Sequence, residues 1–160
     1  MIRAAAIVSL GLLGLPAAAV AQDKTPPYWA SIVPNAARIR TGPGRNFPAI
    51  WEYRRAGLPV KVVQTFPAWR KVQDPDGTTG WMQANMLSES RTGMVVGEVR
   101  PMHARPDTGA PVVSRAAPGV VGKLRSCRGG WCDFDVKGRR GWIEAAHLWG
   151  VARGEEVEED

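Results

Sequence analysis

The chain repeats itself at a spacing of 61 to 63 residues, which confines it to two copies of one small unit. Arg40-Thr41-Gly42-Pro43 and Phe47-Pro48-Ala49-Ile50 return as His103-Ala104-Arg105-Pro106 and Ala110-Pro111-Val112-Val113. Gly57 returns as Gly119 and Trp69 as Trp131, and the run Gly80–Leu87 returns as Gly141–Leu148. The landmarks keep their order, and the one-residue drifts in spacing correspond to small loop deletions. The copies span roughly 30–90 and 94–151.

Within each copy the pattern is that of short strands broken by turns. The first copy predicts strands over Ala49–Arg54, Pro59–Phe66, Trp69–Gln73 and Thr79–Met82, with Asp74-Pro75-Asp76-Gly77 as a turn. The second predicts Pro111–Arg115, Gly122–Cys127, Trp131–Val136 and Arg140–Ile143, with Lys137-Gly138 as a tight turn. Ala84–Leu87 and Ala145–Leu148 read as single helical turns. With 18 Gly and 13 Pro in 160 residues, the chain is too punctuated for a helical bundle. The fold class is all-β: two tandem small barrels of about five strands each.

These residues carry a resemblance. Arg40-Thr41-Gly42-Pro43-Gly44 with Pro48-Ala49-Ile50, Gly57–Val62, Trp69-Arg70-Lys71-Val72 and Gly80-Trp81-Met82 resemble the bacterial SH3-like (SH3b) domain. The stretch from Tyr28 to Val151 resembles a proteobacterial family of secreted tandem SH3b proteins, through Trp51–Val60, Cys127–Cys132 and the ending His147-Leu148-Trp149-Gly150-Val151. The resemblance implies SH3-like barrels and a binding role. The second copy departs from the pattern where His103 stands for Arg and where Ser114-Arg115 stand for Trp51-Glu52.

Cys127 and Cys132 flank Arg128-Gly129-Gly130-Trp131. A two-residue turn at Gly129-Gly130 makes the cysteines a directly opposed, non-hydrogen-bonded pair, at a separation a disulfide tolerates. The spacing is not the tight C-x-x-C of zinc sites, so a metal site with His103 or His147 is disfavoured, and no cofactor is expected. The first copy has Thr65 and Arg70 in place of the two cysteines, and carries Trp29, Trp51, Trp69 and Trp81 instead. Aromatic burial is expected there to replace the crosslink.

Arg3, the apolar run Ala4–Leu15 and the small-x-small Ala19-Val20-Ala21 predict a secretory signal over residues 1–21, cleaved after Ala21. That run is too short to span a bilayer, and no later one approaches that length, so no membrane span is expected in the mature protein. The location is then periplasmic or secreted, an oxidising setting that favours the disulfide.

Residues 22–153 hold 20 bases against 10 acids, and the last seven residues hold five acids. A basic body outside the cytoplasm points to a cell-wall or envelope protein ligand and away from nucleic acid. The tail, 152–160, is expected to be disordered and electrostatic in effect.

The candidate ligand residues are Trp51, Tyr53, Arg54 and Arg55. Trp51 and Tyr53 alternate on one strand and so share a face. Stacking from the two rings, with Arg pairing a carboxylate, suits an extended peptide or a sugar. The same face could instead pack against the other repeat. His103 is expected on the surface, His147 on the helical turn, and Asp74, Asp76, Asp133 and Asp135 in solvent. No phosphate loop, Gly-x-Ser-x-Gly or His-Glu-x-x-His is present, and the inventory predicts no enzyme. Two readings follow: a non-catalytic envelope module recognising a peptidoglycan peptide, an anionic polymer or an extended protein segment; or a structural periplasmic adaptor with its two units packed together.

Overall fold

The computed structural model describes residues 24–158; the leader expected over 1–21 lies outside them. Fourteen strands form two seven-stranded sheets. In the first repeat these are β1 (Tyr28–Ile32), β2 (Ala37–Arg40), β3 (Ala49–Tyr53), β4 (Pro59–Phe66), β5 (Trp69–Gln73), β6 (Thr79–Gln83) and β7 (Leu87–Ser88). The second has β8 (Thr92–Val95), β9 (Arg100–His103), β10 (Val112–Ala116), β11 (Val121–Arg128), β12 (Trp131–Val136), β13 (Arg139–Glu144) and β14 (Leu148–Trp149). The sheet orders are β3-β2-β6-β5-β4-β1-β7 and β10-β9-β13-β12-β11-β8-β14. These are one topology written twice, so the sequence repeat is a repeat of fold.

The expected strands appear within a residue or two, and the helical turns appear as short 3-10 turns, Ala84–Met86 and Ala145–His147. The strands not anticipated, β1, β2, β7, β8, β9 and β14, have weak patterns of their own and exist through pairing. β1 lies against both β4 and β7, joining the two ends of its unit. Each repeat has its own core. Ile32, Ile39, Val62, Val72 and Met82 fill the first, and Met102, Leu124, Phe134 and Ile143 the second. No helix among the described residues is long and apolar enough to cross a membrane.

Gly129 and Gly130 both have positive φ, 57° and 80°, as a two-residue hairpin of the favoured twist requires. The turn sets Arg128 opposite Trp131 and Cys127 opposite Cys132, and the cysteines form a disulfide with Cα atoms 4.1 Å apart. Thiol titration of denatured, unreduced protein should therefore find no reactive group; two per chain would refute the crosslink. Replacing both cysteines by Ser should cost about 2 kcal/mol, read as a lower denaturation midpoint.

In the first copy the equivalent corner is closed differently. Arg70 donates from Nε to the Tyr28 hydroxyl at 3.1 Å and from Nη1 to the Trp69 carbonyl at 3.0 Å. The expectation of aromatic burial holds for Trp69 and Trp81, which are buried, but not for Trp51, which is 59% exposed.

The tail is a correction. Val157 is buried, and it bridges Cys127 through two backbone hydrogen bonds: Cys127 N–H to Val157 O at 2.7 Å and Val157 N–H to Cys127 O at 3.0 Å. The reason lies in the register. Because Cys127 and Cys132 are a non-hydrogen-bonded pair, the Cys127 N–H and C=O point away from β12. β8 pairs only with residues 121–123 of β11, so the outer edge at Cys127 is left for the tail to cover. Glu155 secures the approach through Arg91 Nη1 at 2.6 Å and the Ala152 N–H at 2.7 Å.

The repeats meet at a specific seam. Trp29 and Trp149 pack edge to face with centroids 4.9 Å apart, and Trp149 Nε1 donates to the Pro59 carbonyl at 3.1 Å. The Ser31 and Thr92 hydroxyls lie 2.9 Å apart, and Ser31 also donates to the Ser90 carbonyl. Arg55 Nη1 donates to the Gly119 carbonyl at 2.7 Å.

Candidate binding surface

The four residues singled out from sequence do not converge. Tyr53 is buried, and its hydroxyl donates to Asp74 Oδ2 at 2.9 Å. Burial first, then the Asp74 carboxylate, push its phenol well above the ordinary range. Trp51 shares Tyr53's parity on β3 but stands in solvent, so the two rings do not form one surface. Arg54 is exposed and pairs with Glu52 at 2.9 Å. Arg55 is spent on the seam. A stacked Trp–Tyr pair flanked by two arginines is therefore not present.

Two further expectations change. Asp74 is buried, its Oδ1 accepting the Asp76 and Thr78 N–H groups at 3.1 and 2.9 Å, so it organises the turn that follows β5. His103 is buried, with Nδ1 2.9 Å from the Ala110 carbonyl and its ring edge-to-face with Trp131 at 5.6 Å. The sequence placed it in a loop; it is the last residue of β9 and pairs with Trp142 on β13.

What the fold does assemble is a cleft on the outer face of the first repeat. On β6, Met82 points into the core, so Trp81 and Gln83 take the opposite face, where Trp81 is covered in part by an edge-to-face contact with Phe66. Cross-strand pairing places Trp69 beside Gln83, Lys71 and Arg40 beside Trp81, and Arg38 beside Glu52. Arg38, Arg40, Glu52, Trp69, Gln83 and Met86 line the cleft. Arg38 Nε meets Glu52 Oε2 at 2.7 Å, and Arg40 Nη1 anchors the Phe47 carbonyl at 2.8 Å. The hydrogen bond from Arg38 is the main cause that holds the Glu52 carboxyl below its usual range; burial opposes it, and the charges of Arg38 and Arg54 assist. The cleft thus presents amide and guanidinium groups around the small exposed edge of the largely buried Trp69 indole, with a positive balance. An extended ligand carrying carboxylates suits such a surface.

The second copy lacks this surface. At the matching positions Pro101 stands for Arg38, the buried His103 for Arg40, and Glu144 for Gln83. The sequence signal for the first-copy cleft was the alternation Arg38-Ile39-Arg40, which lies in a strand too short to be recognised from its pattern.

The family described as the bacterial SH3 domain matches residues 33–89 and 96–150. No curated protein matches the chain. Among solved structures, NlpC2 from Trichomonas vaginalis is similar at 10% identity, over 79% of this chain and 49% of that one, with a TM-score of 0.36. NlpC1 from the same organism is similar at 11% identity, over 88% and 50%, with a TM-score of 0.35. An NlpC/P60 family protein from Bacillus cereus is similar at 14% identity, over 82% and 57%, with a TM-score of 0.35. The chain spans about half the length of these structures. With both repeats matched, the chain belongs to the bacterial SH3 domain family and carries two copies of that domain in tandem.

Proposed function

We propose that the protein is a non-catalytic binding module of the cell envelope, and that its first repeat recognises an extended, carboxylate-bearing ligand such as a peptidoglycan peptide. The observation that carries this reading is the cleft of Arg38, Arg40, Trp69 and Gln83, present in one repeat and replaced in the other. The leader pattern over 1–21 and the disulfide support a periplasmic or secreted location.

Retention on purified sacculi tests the reading. Arg38→Ala should weaken retention by about 1–2 kcal/mol, roughly 5- to 30-fold, with the melting temperature nearly unchanged because Arg38 is exposed. Retention equal to wild type would remove the cleft from consideration.

The packed seam favours a second reading, a structural adaptor whose paired repeats hold an envelope protein. Capture of envelope proteins, with no retention on sacculi, would select it.

A further inference from the structure

The seam creates a second concave surface that neither repeat has alone. Gly57, from the turn before β4, faces Thr92, Val121 and Lys123 of the second repeat, and Arg125 and Lys137 complete the walls. From these residues we infer that the groove between the repeats is a binding site for a linear polyanion, a chain of linked phosphate or carboxylate groups. The site goes beyond the first-repeat cleft and shares no residue with it.

Charge is the first support. The one acid in the groove, Asp135, is already engaged: Arg125 Nη2 lies 3.2 Å from its Oδ2, and the Gly138 N–H donates to its Oδ1 at 2.7 Å. Among the described residues, Lys123 and Lys137 have no carboxylate within ion-pair distance. Two cations therefore face the groove uncompensated.

Backbone geometry is the second. Lys137 opens the turn between β12 and β13 at φ 53°, a left-handed conformation that Asn or Gly adopts more readily. With Gly138 at φ 87° it forms a two-residue hairpin turn, which fixes where the Lys137 side chain leaves the backbone, at the groove wall.

Rigidity is the third. Arg55 to Gly119, Ser31 to Thr92 and Trp149 to Pro59 tie the two walls together, so the groove exists before a ligand arrives. The groove is open rather than enclosed. That form suits a segment of a long chain, with the cations contacting successive anionic groups and the polymer continuing past either end.

The test uses the intact tandem with two probes, inorganic polyphosphate and poly-L-glutamate, over a series of salt concentrations. At low salt the wild type should bind at least one of them, and affinity should fall as salt rises. Lys123→Gln with Lys137→Gln should weaken that binding about tenfold and flatten its salt dependence. Both side chains are exposed, so the melting temperature should not change. Arg105→Gln, which removes an exposed charge outside both surfaces, should leave polyphosphate binding as it is, which separates this site from a general effect of net charge. Binding of polyphosphate alone assigns the groove to phosphate-bearing polymers, and binding of polyglutamate alone assigns it to carboxylate-bearing ones. Wild-type binding in the double variant, or no binding of either probe at low salt, would overturn the inference.

Discussion

Gly150→Ala is expected to destabilise the protein by about 2–6 kcal/mol, through crowding and backbone strain together. Gly150 has φ 117°, a conformation nearly confined to glycine. A Cβ there would stand 2.3 Å from the Thr92 carbonyl oxygen, 3.0 Å from the Gly93 Cα and 3.0 Å from the Pro59 Cβ. Two of those three contacts are backbone, so no side-chain rotation relieves them. The third belongs to the other repeat, next to the carbonyl that accepts the Trp149 indole hydrogen bond. The substitution therefore strikes the second barrel and the seam at once. Denaturant unfolding should show a lower midpoint and two separated transitions where the wild type shows one. Gly119→Ala is the control: φ is 80° there, but nothing lies within 4 Å, so only the strain remains, about 1–2 kcal/mol. Equal effects at the two positions would show that the close contacts are not a constraint.

Truncation after Gly154 should lower the stability of the second repeat by about 2–4 kcal/mol. Burying the Val157 side chain contributes roughly 1.5–3 kcal/mol, and its two hydrogen bonds to Cys127 about 0.5–1.5 kcal/mol each. Part of that is offset by the entropy of ordering the segment. Val157→Asp should cost the same as the truncation and no more, because the tail can leave its place rather than bury a carboxylate. A loss far beyond that of the truncation would mean that the tail cannot detach.

The docking should also depend on pH. Burial on its own would raise the Glu155 carboxyl, but the hydrogen bonds from Arg91 and the Ala152 N–H, with the Arg91 charge, outweigh it, and the net shift is downward. A group lowered in the folded state adds stability above its unfolded pKa and loses it as pH falls through its folded value. The tail's contribution should therefore be intact at neutral pH and fade below about pH 4. Glu155→Gln should remove that fading, and an identical acid profile in the two proteins would count against the Arg91 contact.

Local signals were legible wherever the chain carries them. β4, β5 and β12 were readable end to end because each combines strand-forming residues with a definite turn on at least one side. The disulfide was readable because a Gly-Gly turn fixes which residues stand opposite one another within six positions. β2 and β9 were not, since four residues such as Ala37-Arg38-Ile39-Arg40 hold too little pattern to separate a strand from a loop.

By itself, then, the sequence determined the repeat, the all-β class, the tandem architecture and the crosslink, all of which follow from order, periodicity and short-range turn geometry. Only the tertiary structure decided which face is inside. Alternation tells that Trp51 and Tyr53 share a side of β3, yet the curled sheet closes over one ring and leaves the other in solvent. The same is true of His103, of Asp74 and of Val157, whose places are set by partners contributed by other elements of the fold. The cleft of Arg38 and Trp69 and the groove of Lys123 and Lys137 are likewise products of pairing across strands and across repeats. Side-chain parity is a local property of the backbone, whereas burial and convergence depend on where the barrel closes and what lies against it.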